Sequence, residues 1–187
     1  MQKSEARQFF LNQRKSLTQL ACNKLDDLLL IQFQRFNWSN MNCIGNFYPI
    51  EKQNEPNSIL LATYLKYILP NVKMAYPRIL QAGSAMEFFE ETEEFTENKL
   101  GIIEPLPLHK ISISEMDAIL VPLLGFDSTG HRIGFGKGYY DRYFENKANQ
   151  CLRIGISYFD PIPKFEDTHQ FDVPLTHCIT PSNIYEF

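Results

Sequence analysis

The sequence predicts an α/β fold with a largely parallel central sheet. Three observations carry that reading. Short apolar runs, Asp117-Ala-Ile-Leu-Val-Pro122 and Leu152-Arg-Ile-Gly-Ile-Ser157, have the length and composition of buried strands. Segments with helical spacing alternate with such runs, which is the order of strand–helix–strand units. A glycine-rich stretch, Gly130-His-Arg-Ile-Gly-Phe-Gly-Lys-Gly-Tyr-Tyr-Asp-Arg-Tyr-Phe144, follows one of these strands and opens an aromatic, amphipathic helix. In open α/β sheets the ligand lies beyond the carboxyl ends of the strands, where this loop falls.

Each element has a local reason. Residues 3–14 read as a first helix. Thr18 can cap a second one, in which Ala21, Leu25, Leu28, Leu29, Phe33 and Phe36 recur at helical spacing and form a core face. Asn42-Cys-Ile-Gly-Asn-Phe-Tyr48 reads as a strand ended by Pro49. Asn57 can cap a helix over 58–69 that stops before Pro70. Short strands follow over 72–76 and 86–89. Glu90, Glu91, Glu93, Glu94 and Glu97 then read as a solvated acidic loop. Pro105 and Pro107 stiffen the approach to a short helix at 112–116. The strand at 117–121, the glycine loop, a helix over about 139–146, a strand at 152–157 and a short one at 177–180 complete the chain. With no repeat or linker, residues 1–187 read as one domain, long enough to bury a substantial core.

Composition narrows the function. A net charge of −4 and a pI near 5.6 disfavour a nucleic-acid surface. No apolar run reaches the roughly 18 residues of a membrane span, and the first residues lack a signal-peptide core. The expectation is a cytoplasmic protein with small-molecule partners, no nucleic acid, no membrane and no obligate protein partner. Cys22, Cys43, Cys151 and Cys178 form no C-x-x-C pair. They have no ligand spacing with His109, His131, His169 or His177, so no structural zinc site is expected.

The glycine run carries the chemistry. Glycines let backbone approach a ligand closely, and the first N–H groups of a helix lack internal partners. With Arg132 and Lys137 among them they make an anion site, most simply for phosphate. The spacing is neither that of a P-loop nor that of a dinucleotide fingerprint. Taken alone, the loop is equally a turn whose cations face solvent. Asp141 falls in the first helical turn, where the macrodipole alone would stabilise it. Beside a triphosphate it would need a divalent cation.

The stretch Pro122-Leu-Leu-Gly-Phe126-Asp127-Ser-Thr-Gly130-His-Arg132-Ile-Gly134-Phe-Gly136-Lys-Gly138-Tyr-Tyr-Asp141-Arg142 resembles the signature of the 5-formyltetrahydrofolate cyclo-ligase family, with Ile133 for the usual Leu. Weaker blocks follow the family order: Lys3 and Arg7, Phe47-Tyr-Pro49 with Glu55, Pro77-Arg78, Met86-Glu-Phe88, Gly101-Ile-Ile-Glu104-Pro105, Asp172, and Ile179-Thr180. The resemblance implies a three-layer α/β/α sandwich and an enzyme that closes 5-formyltetrahydrofolate to 5,10-methenyltetrahydrofolate with ATP as co-substrate and Mg2+ as cofactor. It gives catalytic roles to Arg132, Lys137 and Tyr139. It assigns ATP contacts to Lys3, Arg7, Arg132, Gly134, Phe135, Gly136, Lys137, Gly138, Tyr139 and Tyr140. Folate contacts fall to Ile50, Glu55, Phe135, Gly136, Lys137, Gly138 and Tyr139, and magnesium to Asp141 and Asp172. Without the resemblance, Glu55 and Asp172 are solvated polar residues, Lys3 and Arg7 belong to a frayed terminus, and Arg142 is a structural ion-pair partner. Two other classes remain open: a non-catalytic nucleotide or folate binder, and an RNA-associated protein on the same scaffold.

Overall fold

The computed structural model describes residues 1–80, 85–98, 103–106, 109–145 and 151–187. Its helices are α1 (Lys3–Lys15), α2 (Gln19–Arg35), α3 (Ser58–Ile68) and α4 (Tyr139–Phe144). Its strands are β1 (Cys43–Gly45), β2 (Lys73–Ile79), β3 (Met86–Glu90), β4 (Phe95–Glu97), β5 (Ile103–Pro105), β6 (Lys110–Ile111), β7 (Ala118–Pro122), β8 (Gly125–Phe126), β9 (Arg132–Ile133), β10 (Leu152–Ile156), β11 (His177–Ile179) and β12 (Ile184–Glu186). Eight strands form one sheet in the order β12-β11-β10-β7-β1-β2-β3-β6. The centre, from β11 to β2, is parallel, and β12, β3 and β6 add antiparallel edges. The largely parallel sheet expected from the apolar runs is therefore present.

Those runs are continuous because both faces of the sheet are covered. In β7, Ala118 and Leu120 join one core cluster while Ile119 and Val121 join another. In β1 and β2, Ile44, Met74 and Tyr76 face the first cluster, and Cys43 and Ala75 the second. Leu29 and Phe33 of α2 and Leu61 and Leu65 of α3 close the first face. Burying each of these contributes about 1.5–3 kcal/mol. Phe144 of α4 with Ile113 and Met116 closes the other. Thr18 Oγ1 accepts from Ala21 N and caps α2, and Asn57 Oδ1 accepts from Leu60 N and caps α3.

Helix α1 packs at the end of the sheet through Ala6 and Phe10, against Leu124, Ile133 and Phe165. Gly125 is where the two touch. A Cβ there would lie 2.2 Å from the Phe10 ring, so this glycine serves close packing.

Several boundaries differ from the expectations. Leu28 is 39% exposed, because α2 buries a stripe centred on Cys22, Leu29 and Phe33. The first strand is only Cys43–Gly45, and the second runs through Pro77, whose partner is Phe88. The helix expected at 112–116 is a 3-10 turn, Ile113–Glu115. The acidic loop holds β4, paired with β5, and Glu91 pairs with Lys66 at 2.5 Å. Gly101, Ile102, Pro107 and the expected helix end at 146 lie outside the described residues. Among the described residues no helix is long and apolar enough to cross a membrane. All four cysteines are free and buried.

Candidate active site

The carboxyl ends of β1, β2 and β7 open into one cavity of about 680 Å3. Helix α1, the segment after β1, the glycine loop and residues 167–172 wall it. Every residue that the sequence singled out for a ligand or metal lines this cavity: Lys3, Arg7, Ile50, Glu55, Arg132, the run from Gly134 to Tyr140, Asp141 and Asp172.

The glycine loop is held from below by Asp127, which is fully buried. Its Oδ1 accepts from Thr129 N (2.9 Å), Thr129 Oγ1 (2.8 Å) and His131 N (3.0 Å), and its Oδ2 from Phe165 N (2.9 Å). This carboxylate of the signature is structural. Beyond β9 the backbone is left-handed at Gly136 (φ 88°) and Gly138 (φ 65°), a conformation costly to residues with a Cβ. At Gly134 an added Cβ would meet nothing within 4 Å. The loop therefore presents bare backbone to the cavity, with Lys137 and Phe135 exposed on it.

Arg132 is less free than the sequence suggested. Its side chain is 6% exposed, Nη2 donates to Asp141 Oδ1 at 2.8 Å, and Nη1 donates to the Val173 carbonyl. Burial lowers its pKa, and the Asp141 carboxylate opposes that shift. Asp141 Oδ1 also accepts from Val173 N at 3.3 Å, so α4 and the chain around Asp172 are stitched together. Arg142 lies over the Tyr139 ring, 5.3 Å from its centroid, and this fixes the tyrosine at the cavity edge.

The amino terminus is not frayed. Lys3 Nζ donates to Asp172 Oδ2, and Arg7 Nε donates to the Gly134 carbonyl at 2.9 Å. Lys3 N donates to Asp167 Oδ1 at 2.7 Å. Burial pushes the Asp172 carboxyl up, but the His169 N–H and the Lys3 ammonium outweigh it and hold the pKa below the usual range. The bonds to Asp141 enter through Oδ1 and those to Asp172 through Oδ2. The opposite oxygen of each is outside these bonds, and hard oxygen donors of this kind suit magnesium alongside phosphate oxygens and water. No group of three or more metal-binding side chains gathers among the described residues.

Glu55 is not a solvated loop residue. Its side chain is 5% exposed; Oε2 accepts from Ile50 N at 2.9 Å, and Oε1 lies 4.0 Å from Nη1 of Arg14. Burial raises its pKa; the Ile50 N–H and Arg14 oppose the shift. Tyr48, also in the cavity lining, stacks on Tyr76, with centroids 4.2 Å apart and planes 16° off parallel. The Tyr48 and Tyr140 hydroxyls are buried and find no hydrogen-bond partner among the described residues. Pro77, Ile79, Met86 and Ile103 add an apolar wall.

Sequence reasoning passed over Arg14, Asp167 and His169 as site residues and took Tyr48 only as part of the family block with Glu55. Arg14 carried one signal: it lies two helical turns beyond Arg7, on nearly the same face of α1.

The 5-formyltetrahydrofolate cyclo-ligase family matches residues 1–181. The chain is 39% identical over 71 residues to the 5-formyltetrahydrofolate cyclo-ligase of Mycoplasma genitalium, which covers 37% of this chain and 43% of that protein. It is 27% identical over 161 residues to the enzyme of that name from Mycoplasma pneumoniae, covering 84% and 86%. The matched stretch thus spans less than half of the first relative and most of the second. The fold is similar to the solution structure of Aquifex aeolicus 5,10-methenyltetrahydrofolate synthetase, with a TM-score of 0.79 at 24% identity, over 100% of this chain and 93% of that one. The chain belongs to the 5-formyltetrahydrofolate cyclo-ligase family.

Proposed function

We propose that this protein is an ATP-dependent cyclo-ligase that converts 5-formyltetrahydrofolate to 5,10-methenyltetrahydrofolate, releasing ADP and phosphate. The observation that carries the reading is that one cavity joins a bare, cationic glycine loop to a buried carboxylate and a stacked tyrosine. A triphosphate needs the first. An aminopyrimidinone ring, with N–H donors and a flat face, needs the second.

The chemistry follows from the substrate. A formamide oxygen is a poor leaving group. The formyl oxygen therefore attacks the γ-phosphorus, the bond to ADP breaks, and an iminium phosphate forms. N10 then adds to the activated carbon and loses its proton, and phosphate leaves with the former formyl oxygen. The protein's share is positioning and charge neutralisation. Lys137 projects from the loop as a mobile charge, Arg132 supports it, and Tyr139 lies at the junction of the two substrates. Lys3 and Arg7 bring α1 against the phosphates. Ile50, Phe135 and the backbone of Gly136 and Gly138 would border the folate, with Glu55 at its pterin.

Charge supports a metal as well. Glu55 and Glu104 have Arg14 and Arg78 behind them, which leaves Lys3, Arg7, Arg132 and Lys137 in the cavity with the carboxylates of Asp141, Asp167 and Asp172. Two of these cations, Lys3 and Arg132, are already paired with Asp172 and Asp141, so the side chains leave less positive charge than a triphosphate needs. Magnesium held by Asp141 and Asp172 would supply the missing positive charge. Incubating the purified protein with 5-formyltetrahydrofolate and Mg-ATP tests the reading. Methenyl-folate absorbance should grow with ATP consumption. Binding of both ligands without that absorbance would identify a non-catalytic binder instead.

A further inference from the structure

Behind the cavity wall is a charge to which no role in the reaction has yet been given. Arg14 is 1% exposed, one of the largest fully buried side chains of the molecule, and is itself outside the lining. Its Nη2 donates to the Leu123 carbonyl at the end of β7, while Nε and Nη1 find no hydrogen-bond partner among the described residues. Nη1 faces Glu55 Oε1 at 4.0 Å. The same helix end grips the Glu55 loop a second time: Asn54 Nδ2 donates to the carbonyls of Arg14 (3.0 Å) and Leu17 (3.3 Å).

A buried guanidinium with unused donors is costly, and so is a buried carboxylate. Placed together, each offsets the other. We propose that Arg14 is a positioning residue of the folate side, a guanidinium set behind the cavity wall that aligns the Glu55 carboxylate and compensates its charge. The inference rests on the placement of the pterin at Glu55.

The charged and titratable groups that face the pair are few. Tyr140 of α4 faces Glu55, and Tyr158 and Cys22 face Arg14. Arg14 is thus the cation that opposes the effect of burial on Glu55. Protonation of Glu55 removes acceptor capacity from the pterin. Folate affinity should therefore fall as pH drops through the folded pKa of Glu55, and that fall should begin at higher pH when Arg14 is neutralised.

The test is titration of 5-formyltetrahydrofolate across pH into wild type, Arg14→Gln, Arg14→Lys and Glu55→Gln. In Arg14→Gln the limb should move up by about one pH unit or more, about a tenfold loss of affinity on the limb itself. Arg14→Lys should keep the wild-type limb. A purely structural Arg14 would lower affinity equally at all pH values, and that outcome overturns the inference. Should Arg14→Gln be too unstable to titrate, the double variant Arg14→Gln/Glu55→Gln decides. If the two residues compensate each other, the double variant melts higher than the single one; an equally low melt would mean that Arg14 acts only through Leu123. Unchanged folate affinity in Glu55→Gln would instead overturn the pterin placement. Weakened affinity there with an unmoved limb in Arg14→Gln would overturn this inference alone.

Discussion

The two banks of the cavity handle charge in different ways. On the glycine-loop bank, charge sits near the rim except for Arg132, which is buried but ion-paired with Asp141. Lys137 is exposed, Lys3 and Asp172 are half-buried partners, and backbone freed by Gly136 and Gly138 supplies the rest of the surface. On the Glu55 bank, charge is withdrawn from water: Glu55 and Arg14 are 5% and 1% exposed, and the buried Tyr48 and Tyr140 hydroxyls lack partners among the described residues. The first arrangement suits a ligand that arrives with its own charge, water and metal. The second suits a neutral, flat ring whose N–H donors replace water at one fixed acceptor. Substitutions on the two banks should therefore fail differently.

The largest effect should come from Arg132→Ala. It removes a buried cation beside the phosphate loop and frees Asp141 and the Val173 carbonyl. Loss of such a contact costs about 2.7–4 kcal/mol of transition-state stabilisation, so turnover at low ATP should fall by roughly 10²–10³-fold. Steady-state kinetics with ATP varied checks it; normal turnover at low ATP would remove the loop from the phosphate site.

Glu55→Gln should come next. The amide keeps the shape but turns one acceptor into a donor facing donors, which costs about 1–3 kcal/mol at a buried site. Calorimetry should show folate binding weaker by roughly 10–100-fold.

Asp141→Asn and Asp172→Asn should have a smaller effect on activity, read in its magnesium dependence. Each removes a full negative charge while keeping an oxygen donor, so the magnesium needed for half-maximal activity should rise in both. Wild-type magnesium dependence in both variants would leave Asp141 as the partner of Arg132 and nothing more.

The smallest effect concerns stability. The folded pKa of Asp172 is depressed, so its contribution is present above the ordinary carboxylate range and is lost as pH falls through the folded value. Asp172→Asn should forfeit about 1 kcal/mol or less near neutrality and show a shallower acid limb in thermal melts.

The same contrast explains what the sequence could reveal. The central strands were legible because both faces are buried and the apolar runs are unbroken. Strands of two residues, β6, β8 and β9, carry no period to read, and β12 is a short edge strand. Capping of α2 and α3 was legible because it is local, from Thr18 to Ala21 and from Asn57 to Leu60. The glycine loop itself was legible for the same reason, since Arg132 to Asp141 are contiguous, whereas Lys3 and Asp172 reach it from the two ends of the chain. The Glu55 bank was legible only through the family resemblance, which named Ile50 and Glu55; nothing in its local pattern marked it. Glu55 sits in a polar stretch, and its buried partner Arg14 comes from another element. Arg132 was misjudged in one respect, because its partners Asp141 and Val173 come from other segments.

The most direct test of the division is to titrate both ligands, a non-hydrolysable ATP analogue with magnesium and 5-formyltetrahydrofolate, into Arg132→Ala and Glu55→Gln. Arg132→Ala should lose nucleotide affinity and keep folate affinity near wild type, and Glu55→Gln should do the reverse. Equal loss of both ligands in both folded variants, or the opposite pairing, would contradict the assignment of the two banks.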